Sequence, residues 1–377
     1  MKSSFRLLTV AGIDIKVHFT FPVILILGAF QWAGPYGAPG AAFGVLLMAT
    51  LFACVVLHEL GHSLVAQRLG VPVREIILLP IGGVAILGRM PRRPLHELLV
   101  AIAGPLVNVV IAGLLVFVLR VQGGLSLDGR ELTHLSEASP STETFLQWLL
   151  AANVGLVLFN LIPAFPMDGG RMLRAILAMF LGFRRATQVA SGIGQLLAFG
   201  LGLFGIFRGH FLLTLVAFFV FVGAGQERAT EEARALLSTF RLGDVYNKHA
   251  LTLQPGDQVA RVLDYLLTSY QPDFAVLHGD RLLGVVTRDA VLKSLASGEA
   301  QGYVTGIMNR EPAHLDASMS LAEAREALTE KGIHGAAVFD GEHFLGLINV
   351  DDIQEALQIA AFLQVAGARR GEGLDAA

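Results

Sequence analysis

Between residues 17 and 225 the chain consists largely of apolar runs about as long as a bilayer requires, ~20 residues for ~30 Å of hydrocarbon. Six such runs stand out, near 17–34, 41–68, 95–120, 143–162, 186–207 and 210–225. With 54% hydrophobic and 16% charged residues in 377, and a mean hydropathy of +0.60, an ordinary soluble protein is excluded. The apolarity stops near Gln226, after which the composition is that of a globular domain. The expected fold is a polytopic α-helical membrane protein of about six spans, followed by a C-terminal α/β domain. The expected boundaries are 1–225 for the membrane domain, 226–243 for a helical linker, 244–300 and 301–365 for two repeats, and 366–377 for a disordered tail. The lone cysteine, Cys54, excludes an internal disulfide and reads as a small buried apolar residue. No cleavable signal peptide is expected, because TVAGIDI is too polar for its apolar core. The net charge of −3 gives no electrostatic footprint for nucleic acid, and none is expected as a partner.

Within the second run stands His58-Glu59-Leu60-Gly61-His62. On a helix, residues four apart share a face, so both imidazoles can reach one metal ion. Glu59 would then lie beside the open coordination position, placed to take a proton from water. Two histidines and a glutamate are costly at membrane depth, which makes a functional reading the default.

Basic residues orient the spans. Lys2, Arg6 and Lys16 precede the first. Arg68, Arg74, Arg89, Arg92 and Arg93 gather after the second, and Arg171, Arg174, Arg184 and Arg185 after the fourth. The loop after the third span carries Asp128, Glu131, Glu137 and Glu143 against Arg120 and Arg130. The N-terminus, the second and fourth loops and the C-terminal domain are therefore expected in the cytosol, in a multi-pass protein suited to a prokaryotic inner membrane. The histidines then lie ~9 and ~15 Å from the Arg68 end of their span.

A catalytic zinc site needs a third protein ligand. The best candidate is Asp168, in Phe159-Asn160-Leu161-Ile162-Pro163-Ala164-Phe165-Pro166-Met167-Asp168-Gly169-Gly170. This segment follows a span that should end at the cytosolic side, at similar depth to the histidines. Its prolines and glycines break the helix, and irregular backbone is tolerated there only when protein-buried or lining a wet cavity.

An HExxH in an early span followed by this N-x-x-P-x-x-P-x-D-G segment resembles the site-2 protease family of intramembrane zinc metalloproteases. Within it, the chain is similar to the subgroup with a C-terminal CBS pair, like the bacterial sporulation-factor processing protease. The resemblance implies zinc bound by His58, His62 and Asp168, with Glu59 as catalytic base. Met167 stands where the family form often has leucine, and keeps an apolar neighbour. Gly104-Pro105-Leu106-Val107-Asn108 resembles the family's GxxxN element, with Gly104 permitting close helix packing. Asn108 is a candidate oxyanion donor, and equally an interhelical hydrogen-bonding residue. Pro80-Ile81-Gly82-Gly83-Val84, flanked by EIILL and VAIL, resembles the family's membrane-associated β-hairpin. Gly82 and Gly83 are read as part of an edge that pairs with an unwound substrate by strand addition. Asn153 and Asn160 are expected to satisfy neighbouring backbone, and His96, His134 and His210 to fill interface or loop roles.

Residues 244–360 contain a duplication. Val245-Tyr246-Asn247 corresponds to Ile307-Met308-Asn309, and Gly284-Val285-Val286-Thr287 to Gly346-Leu347-Ile348-Asn349, both at an offset of 62. Helix, two short strands around a turn, and helix recur in each copy, which resembles a CBS pair. That resemblance implies a cleft for ATP or another adenine nucleotide. The G-h-h-T-x-x-D ribose element is broken in both copies: Thr287 is followed by Ala290, and Asp352 is preceded by Asn349. Thr287 and Asp352 remain the candidate nucleotide residues. The alternative is that the pair dimerises the enzyme or docks its substrate.

The expected reaction is peptide-bond hydrolysis in or near transmembrane segments of membrane-protein substrates, modulated by the CBS pair. An accessory membrane regulator and a second copy of the chain are candidate partners. Two other classes are weighed. A CBS-regulated ion or metal transporter would have no use for Glu59 in the base position. A membrane scaffold with structural zinc would need four ligands, and no fourth is evident.

Overall fold

The computed structural model describes residues 4–80, 82–87, 93–123, 139–269 and 271–372. Ile81, Arg89 and Arg92, the acidic loop residues Asp128, Glu131 and Glu137, and Arg130 and His134 lie outside the described residues. The chain forms two compact units, Met1–Ala229 and Thr230–Ala377.

The first unit opens with β1 (Ser4–Val10) and β2 (Ile13–His18), then α1 (Pro22–Arg68), β3 (Val73–Leu79) and β4 (Gly82–Leu87). The helices α2 (Pro94–Val121), α3 (Thr142–Asn160), α4 (Asp168–Leu181), α5 (Phe183–Phe207) and α6 (Phe211–Leu237) follow. Five of these six helices, all but α4, are long and apolar enough to cross a membrane.

The 47-residue α1 is two spans. Its backbone leaves helical geometry at Gly37, where φ is 60°. A Cβ on Gly28 would lie 2.8 Å from the carbonyl oxygen of Gly44. Residues this far apart would be separated by ~24 Å in a straight helix, so the chain folds back into an antiparallel hairpin. Paired glycines let the two arms touch, and Trp32 packs on Phe43 at 4.5 Å. The expected first and second spans are thus both present, and about six crossings result.

The first span starts later than expected. Ile13-Asp14-Ile15-Lys16-Val17-His18 is a strand, because its apolar and polar residues alternate with period two and bury Ile13 and Ile15. It pairs antiparallel with β1 and parallel with β3, and β3 pairs antiparallel with β4. The β-hairpin expected around Gly82 and Gly83 therefore belongs to a four-stranded sheet, in the order β1-β2-β3-β4. Ile13, Ile15, Val73 and Ile76 pack against Leu60 and Ala66 of α1 and Val100 of α2. That core holds the sheet against the second arm of α1 and leaves β4 as an edge strand.

The second unit has two copies of one motif. The first comprises β5 (Thr252–Leu253), α8 (Val259–Thr268), β6 (Asp273–His278), β7 (Arg281–Thr287) and α9 (Arg288–Ala296). It is introduced by the short α7 (Leu242–Val245). The second copy comprises β8 (His314–Asp316), α10 (Leu321–Lys331), β9 (Gly335–Asp340), β10 (His343–Asn349) and α11 (Val350–Glu372). The four longer strands, β6, β7, β9 and β10, split their residues between two cores. Phe274 and Val276 of β6 face their own helices, while Ala275 joins Val285, Ala337 and Leu347 in a seam shared by both copies. The lead-in residues cross over: Asn247 bridges to Leu347, and Asn309 to Val285. The final helix runs to Glu372, through residues expected to be tail, because alanine-rich AAFLQVAGARR continues a good helix-forming run.

Candidate metal centre

The second arm of α1 presents His58 and His62 one turn apart on its buried face. Their Nε2 atoms are 3.1 Å apart. Oδ2 of Asp168 lies 3.3 Å from Nε2 of His58 and 3.1 Å from Nε2 of His62. Three donors at the corners of a tetrahedron around zinc, at about 2.0 Å from the ion, would be about 3.3 Å apart. The observed triangle therefore fits one zinc ion and leaves a coordination position open. Among the described residues, this is the one group of three or more His, Cys, Asp and Glu side chains so converging.

The other ring nitrogens set the tautomers. Nδ1 of His58 donates to Oδ1 of Asn108 at 2.5 Å, and Nδ1 of His62 to the carbonyl of Val100 at 2.6 Å. Each bond keeps the proton on Nδ1 and turns the Nε2 lone pair toward the shared centre. Asn108 in turn donates to Oδ1 of Asn153 at 2.8 Å, and Asn153 to the carbonyl of Leu149 at 2.8 Å. Asn108 thus sits behind His58, at the ring edge remote from the metal donors. Its Oδ1 meets His58 and its Nδ2 donates to Asn153. Asn153 serves backbone as expected, and is also the second support of this relay.

Glycines make the cradle. A Cβ on Gly104 would stand 2.2 Å from Nε2 and 2.5 Å from Cε1 of His62 and 2.8 Å from Nε2 of His58, so a residue without a side chain is what leaves both imidazoles in place. A Cβ on Gly61 would be 2.8 Å from the carbonyl of Ala103, so α1 and α2 cross with backbones close. Asp168 occupies the first turn of α4, where the helix dipole favours its negative charge. Gly169 and Gly170 press against the returning backbone of Leu161, Ile162 and Ala164, which explains the paired glycines after the aspartate.

Glu59 stands apart from the donor triangle. It lines a cavity of about 590 Å³ with His58, Gly82, Gly83, Asn160 and apolar residues of α1 and α3. A Cβ on Gly83 would come 2.8 Å from Cγ of Glu59, so the edge strand meets the glutamate at a bare backbone position. Asn160, set aside in the sequence as a backbone partner, is the amide that shares this cavity with Glu59.

In the second unit, Thr287 and Asp352 line one cleft of about 430 Å³ between the repeats. Both also cap helices. Thr287 accepts from the backbone N–H of Ala290 at 3.3 Å. Asp352 accepts from the N–H of Asn349 at 2.9 Å, while Asn349 accepts from the N–H of Asp352 at 2.8 Å. Asp273, Asp289 and Asp351 share the cleft, against a single arginine, Arg288. Burial pushes the carboxyls of Asp273 and Asp352 above the usual aspartate range.

A zinc metalloprotease of Methanocaldococcus jannaschii, MJ0392, is 32% identical over 361 residues, covering 95% of this chain and 97% of its own. This chain belongs to peptidase family M50, the site-2 proteases. The M50 family model matches residues 46–201, which include every metal-donor candidate. A CBS domain model matches residues 304–359, the second repeat. Stage IV sporulation protein FB of Bacillus subtilis is 25% identical over 236 residues, covering 59% of this chain and 76% of its own. The solved site-2 protease from Methanocaldococcus jannaschii is 40% identical, covers 60% of this chain and 95% of its own, and superposes with a TM-score of 0.41. The chain is accordingly a membrane-embedded zinc metallopeptidase of the M50 family that carries a CBS domain.

Proposed function

We propose that this M50 protein hydrolyses peptide bonds within or near transmembrane segments of membrane-protein substrates, at a zinc ion held by His58, His62 and Asp168. The observation that carries the reading is the donor triangle of 3.1–3.3 Å edges with an open face, set beside a glutamate that is not one of the donors. Bound there, zinc supplies Lewis acidity toward a water and the scissile carbonyl. The carboxylate of Glu59 accepts the proton from the attacking water and delivers it to the leaving amine nitrogen. Asn108 and the Val100 carbonyl hold the imidazoles in the ligating tautomer. The substrate enters unwound along β4, where Gly82 and Gly83 expose backbone to pair with it and bring its carbonyls toward Glu59. Asn160 is placed to meet substrate in the same cavity.

The active site opens nearer the cytosolic face, with the N-terminus and CBS unit in the cytosol, as the arginines after α1 and α3 imply. The cleft containing Thr287 and Asp352 takes an adenine nucleotide, and its excess of aspartates favours entry of the phosphates as a magnesium complex. The CBS unit also supports a homodimer, and an accessory membrane protein remains a candidate partner.

Purified protein in liposomes, offered a panel of single-span substrates with and without ATP, tests the reading. Wild type should cleave and Glu59→Gln should bind zinc without cleaving. Cleavage by Glu59→Gln at the wild-type rate would remove the base from the mechanism. Metal flux through liposomes that survives Glu59→Gln would favour transport instead.

A further inference from the structure

Arg174 is among the most heavily engaged charged residues of the membrane unit, and no step of the hydrolysis uses it. It lies six residues after Asp168 on α4, ~9 Å along the helix. Its guanidinium donates through Nε to Oε1 of Glu97 at 2.9 Å, and through Nη2 to the same oxygen. Its Nη1 donates to Oε1 of Glu227 on α6. Its plane covers the ring of Phe165 at 4.9 Å from the centroid. The Arg174 and Glu97 side chains are 13% and 4% exposed, so the pair is removed from water.

Two of the three partners are close in sequence to residues that hold or carry the metal donors, and the third, Glu227, ties the arginine to α6. Glu97 is one turn before Val100, whose carbonyl orients His62. Phe165 is three residues before Asp168, packed against Ala190 of α5 and Ala224 of α6. The next residue, Pro166, touches α6 where a Cβ on Gly223 would come 2.8 Å from its Cδ. Meanwhile α4, with 14 residues, begins at Asp168 with no side-chain N-cap. The start of the helix is held by backbone packing at Gly169 and Gly170, with no side-chain cap to add to it.

We propose that Arg174 is a positioning residue for the metal centre, clamping the Asp168 arm to the His62-orienting helix α2 and to α6. A forked guanidinium meets Glu97, Glu227 and the Phe165 face at once; an ammonium offers one compact point of charge and no plane to stack. Removing the fork lets α4 shift against α2 and opens the donor triangle; Arg174→Lys does so while keeping a positive charge opposite Glu97, and Arg174→Gln removes that charge as well.

The inference rests on the proposed metal role of His58, His62 and Asp168, and zinc affinity separates the two. Full-length protein in detergent would be titrated with zinc against a competing chelator, with thermal unfolding and cleavage kinetics measured alongside. The variants are Arg174→Lys, Arg174→Gln and Glu227→Gln. Arg174→Lys should fold and bind zinc about tenfold or more weakly, within the range seen when supports behind metal ligands are lost. At saturating zinc its kcat should fall while KM for substrate holds. Glu227 is 38% exposed, so Glu227→Gln should unfold like wild type and show a smaller loss of affinity in the same direction. Wild-type zinc affinity in a folded Arg174→Lys protein would overturn the clamp. So would losses that follow the fall in unfolding temperature across all three variants, or an unchanged affinity in Glu227→Gln should the arginine variants fail to fold. A wild type that takes up no zinc would overturn the metal reading and this inference with it.

Discussion

At the scale of single residues, chemistry and support divide cleanly around His58. Its Nε2 faces the shared centre and its Nδ1 faces Asn108, so one ring reports both roles. Loss of a residue behind a metal ligand costs about 10- to 100-fold in metal affinity or activity. Asn108→Ala should therefore weaken zinc binding by that factor, measured by chelator competition, because His58 loses the acceptor that fixes its tautomer. Glu59→Gln should behave oppositely. Zinc affinity should stay near wild type, while kcat falls by about 10²–10⁴, the usual worth of a positioned acid–base group. Single-turnover cleavage at saturating zinc separates the two variants.

At the scale of elements, small residues decide how closely the parts approach. Gly104 on α2 faces both imidazoles, and a methyl there would push the His62 ring out of the donor triangle. Gly104→Ala should abolish stoichiometric zinc uptake while the helices still assemble, readable by metal analysis of purified protein with an unchanged circular dichroism spectrum. The edge strand poses a different case. On β4, Gly83 meets Glu59 rather than a metal donor. Gly83→Val should lower cleavage at least tenfold and leave zinc content intact, because it crowds the base and the substrate edge alone; the tenfold figure follows from the sensitivity of catalysis to displacements of about 1 Å. Zinc loss in Gly83→Val would mean that the sheet supports the metal cradle itself.

At the scale of the whole molecule, the membrane unit and the CBS unit obey different solvents. The first leaves many large apolar side chains exposed along α1 to α6, including Phe180, Phe207 and Phe211, as lipid contact requires. The second buries its apolar residues in compact cores and sets four aspartates, Asp273, Asp289, Asp351 and Asp352, in the inter-repeat cleft. Burial raises the Asp273 and Asp352 carboxyls, so the folded unit holds protons more tightly than the unfolded chain. Their contribution then favours the fold at acid pH and is lost as pH rises from the unfolded aspartate range, about 4, through the raised folded values. Asp273→Asn keeps the acceptor for the Arg288 N–H and removes the charge. It should raise the unfolding temperature of the CBS transition in full-length protein at pH 7, and do so less at pH 4. An equal shift at both pH values would show that the carboxylate's charge is not what destabilises the cleft.

What could be read from the sequence was carried by spacing and by solvent. Four-residue spacing puts His58 and His62 on one helical face in any context, and runs of apolar residues have few places to go but lipid. The CBS duplication was legible for the same reason, since an offset of 62 recurs from strand to strand. Tertiary structure decided what depends on approach between distant segments. The α1 hairpin turns on Gly28 meeting Gly44, and the placement of Asn108 behind His58 depends on how α2 crosses α1. β2 joins the sheet through a parallel pairing with β3 across the whole of α1, which no local pattern announces. Arg174 and Glu97 read as scattered charges 77 positions apart until α4 and α2 are packed. Local periodicity determines which face a residue occupies; the distance between two faces exists only once the chain has folded.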